Sequence, residues 1–581
     1  MKSKIIKMFK KVIRYCKNVL IRRLKGPDLI SLRLNKLSIS CNEYFQKNNR
    51  DTGLRILWPT TFNLSKTWWG HDGILAVALK LRGADIFPTM CDRIQSDECM
   101  FWGGEWQGHN NPRSRKRREN NCRRCVANDK EMWGRWGLNP LRLSSFVTAS
   151  EKLKAKNEVA GWVAGDWEKV IWNGFPVGYE AWKAVVNNNL QAEIHESWRE
   201  EAKSLAYSHL LNIYLLLLAY ERVFDVVAPE RVFGNGGFYY LWGVVDHIAR
   251  QRKVPYFRYH NIGLNSFVWN YARNSKELID VGPAWQSWLE QPWDSKKEDR
   301  VSQDLFERGV HIGGILNKKR VLSKIIQTLP LDPKKSIALC ATGVAWDATA
   351  NVPSRAFRNM YDWLWETIRW FAGHPEWQLV IRVHPDENIV SNIASERRTR
   401  FENELSLRGI KIPQNVFIIP SSSRISVYDL IDVASLGIVY TSTTGLEMAC
   451  AGLPVIAIGH SHFRNKGFTL DPSNRSDYFF MLEKILSNNI ALKSEGSALL
   501  AKKYWYLYAY HASVATGVFD LNENWVHVPK ELTYQDLLPG ANIYLDYICD
   551  SVMNDLPIFG ENRWPPENKI KSKINLSCKI Q

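Results

Sequence analysis

No window of this chain holds the roughly 18 apolar residues that a membrane-spanning helix needs, so no spanning helix is expected. Ten cysteines in 581 residues are too sparse for a disulfide framework, which excludes a stapled secreted scaffold. There is no internal repeat beyond a loose similarity of two halves, and no low-complexity tract. No Asp-x-Asp sequence stands at a predicted strand end, so a catalytic metal is not expected. No recognition motif accompanies the basic residues, and nucleic acid is not expected as a partner.

What is present is an apolar fraction of 45% and an aromatic fraction of 12%, the composition of an ordered globular protein. A chain of 581 residues exceeds one hydrophobic core and predicts at least two domains. Its 25 tryptophans fit either core packing or stacking on sugars. The net charge of +18 is uneven, because Met1–Lys25 holds ten Lys or Arg and no acid. Apolar residues recur there at helical spacing (Ile5, Phe9, Val12, Ile13, Val19, Leu20, Leu24), so residues 1–27 read as a basic amphipathic helix. Such a helix rests on an anionic membrane surface, each basic residue contributing about 1 kcal/mol. A disordered arm or a nucleic-acid tail is the alternative. The segment lacks the continuous apolar stretch and cleavage site of a secretory signal. The expected location is therefore cytoplasmic, peripheral on the inner membrane face. A second basic cluster spans Arg113–Arg124.

Four cysteines, Cys91, Cys99, Cys122 and Cys125, fall in the pattern C-x7-C-x22-C-x2-C. The Cys-Arg-Arg-Cys pair is half of a zinc knuckle, and Cys91 with Cys99 would complete a tetrahedral thiolate site. The x7 spacing is wide for that purpose, and four unrelated thiols in a loop remain the alternative.

Leu54–Trp58 reads as a buried strand, followed by a glycine-containing loop and an amphipathic helix starting near Asp72 and ending at Gly83. "ADIFPTM" is the next strand. From Cys91 to about Trp198 the pattern gives way to a Trp-rich, loop-rich insertion; helix, strand, helix and strand then resume up to His260. A second series begins near Lys334, with strands at 336–342, 378–385, 416–422, 436–442 and 454–460. These strands are apolar runs without alternation, as in a parallel sheet covered on both faces. The chain thus divides into residues 28–325, a Rossmann-like N-terminal domain with a Cys-rich insertion at about 91–125; 326–490, a Rossmann-like C-terminal domain; and 491–581, a helical extension. Right-handed crossovers place every strand's C-terminus on one edge, where open α/β sheets bind ligands. The polar stretches just past the second series are Thr342–Asp347, His384–Glu387, Ser421–Ser423, Thr441–Thr444 and Gly459–His462.

Two of these carry specific chemistry. "YTSTTGLEMACAGLPVI" is a strand, a hydroxyl-rich turn and a helix start, a combination that binds phosphate. Gly445 would let the backbone approach the anion, and Glu447 would accept from ribose hydroxyls; an ordinary helix cap is the bland alternative. In "LVIRVHPDEN", Arg382 and His384 share one side of a strand and Pro385 fixes the turn. An imidazole N–H there can hydrogen-bond a leaving phosphate, unless the histidine is bonded to backbone. Asp386 and Glu387 read as turn and solvent contacts.

"RVHPD", followed sixty residues later by "STTGLEMACAGLPVI", resembles the bacterial capsular-polysaccharide glycosyltransferases, GT-B enzymes related to capsule Kdo transferases and similar in these motifs to bacterial sialyltransferases. "ALCATGVAWDA" looks like that group's Trp-Asp element, and "VFGNGG…VPYFRYHNIG" is similar to its N-domain strand pair. The cysteine insertion is similar as well. The resemblance is good over about 330–470 and patchy over 50–270, and His260 stands where an acid is often found. It implies the GT-B fold, two Rossmann-like doubly wound domains facing a central cleft. It further implies a nucleotide-activated sugar on the C-terminal domain and a glycan or lipid-linked acceptor on the N-terminal one. By matching positions, His384 and Pro385 are the His-Pro motif, Ser442, Thr443 and Thr444 the phosphate turn, Glu447 the acid on its helix, and Asp347 the Trp-Asp element. The resemblance suggests CMP-linked acidic sugars, while the fold allows UDP- or GDP-sugars.

An acceptor hydroxyl needs a base, and the first loop of a GT-B N-terminal domain faces the cleft. Here it ends in Gly70-His71-Asp72-Gly73, making His71 the expected base and Asp72 the second candidate or merely the helix cap. The expectation is an inverting, metal-independent glycosyltransferase. A teichoic-acid-type glycerophosphotransferase and a non-catalytic nucleotide-sugar or polysaccharide-binding protein are the competing readings.

Overall fold

The structure is a computed structural model, and it describes all residues except 1–28, 49–52, 62–65, 96–97, 100–111, 237–238, 261–268, 276–278, 311–324, 326–328, 345–346, 348, 390–398, 488–494, 515, 522–526 and 569–581. The expected basic helix of residues 1–27 lies outside the described residues. Helix α1 (Leu29–Lys47) comes next and buries Ile30, Leu34, Leu37 and Cys41.

β1 (Leu54–Trp58) is a strand because its apolar residues are covered on both faces, Ile56, Leu57 and Trp58 being fully buried. α2 (Lys66–Leu81) follows and ends where Gly83, at φ 95°, lets the chain turn into β2 (Ala84–Met90). The helix starts at Lys66 and not near Asp72, so His71 and Asp72 lie inside it. The insertion after β2 is helical where a loop-rich region was expected. It contains α3 (Pro112–Arg135), the short β3 (Leu141–Arg142), α4 (Ala149–Ala164) and α5 (Val177–Asn188). A capping box at Thr148 and Glu151 starts α4. The long apolar α6 (Arg199–Val227) then leads to β4 (Arg231–Asn235), α7 (Tyr240–Gln251), β5 (Tyr256–His260) and β6 (Asn270–Arg273). The sheet order is β3-β2-β1-β4-β5-β6, parallel except for the antiparallel edge strand β6.

α8 (Ser295–Glu307) leads toward the second sheet. All five expected strands are present: β7 (Ile337–Ala341), β8 (Gln378–Arg382), β9 (Val416–Ile419), β10 (Leu436–Val439) and β11 (Val455–Ala457). Between them run α9 (Met360–Ala372), α10 (Phe401–Leu407), α11 (Val427–Ile431) and α12 (Thr444–Cys450). The order is β11-β10-β7-β8-β9, all parallel. These are two Rossmann-like, doubly wound α/β sheets. In each, the strand order reverses beside the first strand, between β1 and β4 in one and between β7 and β10 in the other. Diverging loops leave a crevice at such points.

α13 (Arg475–Leu486) covers the second sheet with Tyr478 and Leu482. The C-terminal extension is shared between the halves. Its helix α14 (Glu495–Tyr506) packs on α12, and α15 (Ile543–Met553) packs on α2. Between them lies an unexpected antiparallel pair, β12 (Phe519–Leu521) and β13 (His527–Pro529). Trp58, Trp133, Trp136, Trp269, Trp363 and Trp505 are fully buried, which makes these six core residues and not sugar platforms. Among the described residues, no helix is long and apolar enough to cross a membrane.

Candidate functional site

The C-terminal ends of β7, β8 and β10 meet at the switch point of the second sheet. The buried Thr342, just past β7, accepts the His384 backbone N–H on its hydroxyl (3.0 Å), which ties the ends of β7 and β8 together. Across the crevice, the Thr349 and Thr441 hydroxyls are 3.2 Å apart. Asp347 is exposed, and its Oδ1 accepts from the Thr349 backbone N–H and hydroxyl, both at 2.8 Å. The structure therefore places Asp347, His384 and Ser442 along one edge.

His384 has a defined hydrogen-bonding state. Its Nδ1 accepts from the Asp386 backbone N–H (3.2 Å), so in the neutral imidazole the proton sits on Nε2. Burial lowers its pKa from the ordinary histidine value, and the carboxylates of Asp386 and Asp347 oppose the shift. Around neutral pH the ring is a neutral N–H donor beside the crevice. Pro385 follows on the exposed turn. Ser442 Oγ accepts from Thr444 N (3.3 Å), Thr443 makes no capping bond with its side chain, and all three hydroxyl residues are half-exposed.

Other expected contributors do different work. Arg382 is buried, and its guanidinium donates to the carbonyls of Val383 (2.7 Å), Pro420 (2.7 Å) and Ser423 (3.2 Å). It anchors the loop after β9 and does not present its charge to a donor. Gly445 is required by the fold itself, since a Cβ there would lie 2.7 Å from Val439 Cγ2 and 3.0 Å from the Phe463 ring. The close approach is between helix and sheet, not between backbone and anion. Glu447 is buried, ion-paired with Arg308 and within 3.4 Å of the Tyr428 hydroxyl, so it does not face a ribose. Burial raises its pKa, and Arg308 opposes the shift. Glu387, expected in solvent, is also buried, and its Oε2 accepts from Phe401 N (3.2 Å).

The proposed base is displaced most. His71 is 1% exposed and Asp72 0%. The His71 ring stacks on Trp269 at 3.7 Å between centroids, and its Nε2 lies 2.9 Å from the Tyr271 hydroxyl. Asp72 accepts from the Tyr259 hydroxyl, and burial pushes its carboxyl up to about 8. Both sit in an aromatic cage under the first sheet's edge strands. The pair is out of the cleft because α2 begins a full turn earlier than the glycines suggest.

Cys122 and Cys125 lie one turn apart on α3, and Cys91 follows β2. Among the described residues, no group of three or more His, Cys, Asp or Glu side chains is gathered closely enough to hold a metal. Burial pushes the Cys91 thiol up to about 11, the charge of Cys122 adding to the shift, and burial raises the Cys122 thiol as well.

The sequence reading missed Thr349 and Tyr239. Tyr239 precedes α7 at the switch point of the first sheet and is 37% exposed. Burial raises its phenol's pKa and the charge of Asp347 adds to this, so a group from the first domain faces the edge of the second. Only the strand order locates it. The outer strand ends are closed by arginines, Arg382 after β9 and Arg464, which donates to the Ile458 and Gly459 carbonyls (both 3.1 Å) after β11.

Fold and site together define a protein of two doubly wound α/β domains with a polar edge at the switch point of the second sheet. No protein-family model matches the sequence, and no curated relative matches it. Among solved structures, the chain is similar to the β-Kdo 2,7-transferase of Thermosulfurimonas dismutans KpsC, at 17% identity over 50% of this chain and 81% of that one, with a TM-score of 0.25. It is similar to the UDP-GlcNAc 2-epimerase of Neisseria meningitidis at 11% identity, over 77% and 93% of the chains, with a TM-score of 0.21. The wall teichoic acid polymerase TagF matches at 12% identity over 49% and 53%, with a TM-score of 0.21. At such TM-scores the fold assignment rests on strand order and direction, not on the superpositions.

Proposed function

We propose that the protein is a glycosyltransferase that moves a sugar from a nucleotide-sugar donor to a glycan or lipid-linked acceptor in the synthesis of a surface polysaccharide. The observation that carries the reading is the neutral His384, with Nδ1 occupied and Nε2–H available, at the switch-point edge beside Asp347, Ser442 and the Thr349–Thr441 contact. In the transfer, the bond between the sugar's anomeric carbon and the leaving phosphate oxygen breaks as the acceptor oxygen bonds to that carbon. The electron pair goes to the phosphate, and the acceptor proton goes to a base. His384 Nε2–H would hydrogen-bond the phosphate oxygen as its charge develops, and the hydroxyls of Ser442 and Thr443 would add donors. Direct displacement inverts the anomeric centre and needs no metal in this scheme. His71 and Asp72 are not retained as the base, because both are sealed in the core. The acid-free basic stretch Met1–Lys25 supports work on an anionic membrane surface, where lipid-linked acceptors reside.

The test is thermal stability in the presence of CMP, UDP, GDP and their sugars. One nucleotide at a hundred times its Kd should stabilise the wild type by about 2.7 kcal/mol. His384→Ala should leave the ligand-free melting point nearly unchanged and weaken donor turnover about a hundredfold or more. Turnover that survives the change removes the assignment. A phosphodiester in the product, in place of a glycosidic bond, would move the protein to the glycerophosphotransferase reading.

A further inference from the structure

The two domains are joined by a segment whose path is unusual for a domain boundary. Ala184 and Val185 on α5 belong to the first domain's core, yet Ala192 is buried in the core of the second. The crossing is made by Leu190, which adopts a left-handed conformation (φ 55°) after α5 and redirects the chain. Beyond it the segment is held by Thr399, which is 2% exposed. Thr399 N donates to the Leu190 carbonyl (2.9 Å), its Oγ1 accepts from Ala192 N (2.8 Å), and the same hydroxyl faces Gln191 Oε1 at 3.4 Å.

Two residues past Thr399, Phe401 enters the second domain's core and its backbone N–H donates to buried Glu387 (3.2 Å). Glu387 N in turn donates to the His384 carbonyl (3.2 Å). A short run of buried hydrogen bonds thus leads from the first domain to the turn that carries His384. Around it lies an ionic rim: Glu193 pairs with Arg408 and accepts from Asn359 Nδ2 (3.3 Å), while His195 Nε2 is 2.8 Å from Glu404 Oε1.

We propose that residues Leu190–Ala192, acting through Thr399 and Glu387, are a positioning device by which the first domain fixes the His384 turn for the reaction at the edge. The proposal rests on the donor-site reading for its chemistry, but the mechanical link can be tested without a substrate. Buried polar networks hold one geometry when every member is satisfied. Here the members come from both domains, so the His384 turn is set only when the domains are docked as seen. Coupling of this kind must be shown by perturbing one end and reading the other.

The experiment is amide hydrogen exchange on the full chain, comparing wild type, Thr399→Val and Thr399→Ser. Valine keeps the volume but can neither accept from Ala192 nor donate to Gln191; serine keeps both functions. Exchange in peptides covering 383–389 should rise about fivefold in the valine variant, as should exchange in 188–193, the scale of one lost buried hydrogen bond. The serine variant should behave as wild type. The same preparations are titrated with CMP, UDP and GDP, and affinity in the valine variant should fall by a similar factor. If exchange rises in 188–193 and 399–401 but not in 383–389, Thr399 is merely structural and the proposal fails. If no nucleotide binds the wild type, the donor-site reading fails, while the exchange result still decides the mechanical link. Should the valine variant not fold, Glu193→Ala at the half-exposed rim provides the same comparison, and an unmoved 383–389 there also overturns the proposal.

Discussion

Replacing Asp72 by asparagine should stabilise the protein at neutral pH, although it removes a buried carboxyl. Asp72 is 0% exposed and accepts from the Tyr259 hydroxyl, and burial raises its pKa from 3.8 to about 8. The folded state therefore holds a proton that the unfolded chain releases. Stability linked to this group is fully present below pH 3.8 and is lost progressively as pH rises toward 8. At pH 7 the gap from 3.8 to 7 corresponds to about 4 kcal/mol, an upper bound for this group. Asparagine has no such linkage. Its Oδ1 can still accept from Tyr259, and its amide occupies the place of the carboxyl O–H.

The assay is a melting series from pH 4 to pH 8.5 for both proteins. The Asp72→Asn difference should be near zero at pH 4 and grow to several degrees in favour of the variant by pH 8, taking about 2 °C per kcal/mol for a large domain. The burial-depressed His260, whose pKa falls to about 3, gives the opposite slope, with stability lost as pH falls below 6.5. It is common to both proteins and cancels in the difference. The competing arrangement is an ion pair with His71, whose Nδ1 lies 3.5 Å from Asp72 Oδ1. That pair would make asparagine increasingly costly as pH rises to neutrality. A pH-independent loss, or one that grows with pH, refutes the neutral buried carboxyl.

Two further substitutions follow from packing and charge. Gly445→Ala should destabilise by about 1–3 kcal/mol, because its Cβ would press on Val439 and Phe463, and chemical denaturation of the variant checks the value. Arg308→Met should cost about 3–5 kcal/mol by leaving Glu447 buried without its cation. Adding Glu447→Gln to it should recover most of that loss, whereas additive losses in the double variant would show that the two side chains act separately.

The strands were legible because a doubly covered parallel sheet demands unbroken apolar runs, and the strand ends because charge and proline stop such runs. The same local logic misplaced α2. Gly70 and Gly73 look like loop residues, but Gly73 sits within the helix because a Cβ there would lie 2.4 Å from Trp136 Nε1, a residue sixty-three positions away. The aromatic residues before His71 belong to the helix, and that shift turns a supposed cleft loop into core. Glu447 failed for a related reason. An acid in a first helical turn reads as a ligand contact, and its real partner, Arg308, lies 139 residues earlier. The Leu190–Thr399 link joins segments more than two hundred residues apart, which no local pattern pairs.

Five polar strand ends on one edge suggested one broad binding surface, but they are not equivalent. The loops after the two outer strands, β9 and β11, spend their carbonyls on Arg382 and Arg464, so their polarity serves the fold. The three inner ends keep side-chain groups at the crevice: Asp347 and Thr349 after β7, His384 after β8, Thr441 and Ser442 after β10. A helix of seven residues such as α12 has too short a dipole to carry phosphate binding by itself. Groups from several loops converge instead at the switch point of the second sheet. The narrower edge is therefore a stronger candidate than the broad one, because each of its groups has a partner that fixes its direction.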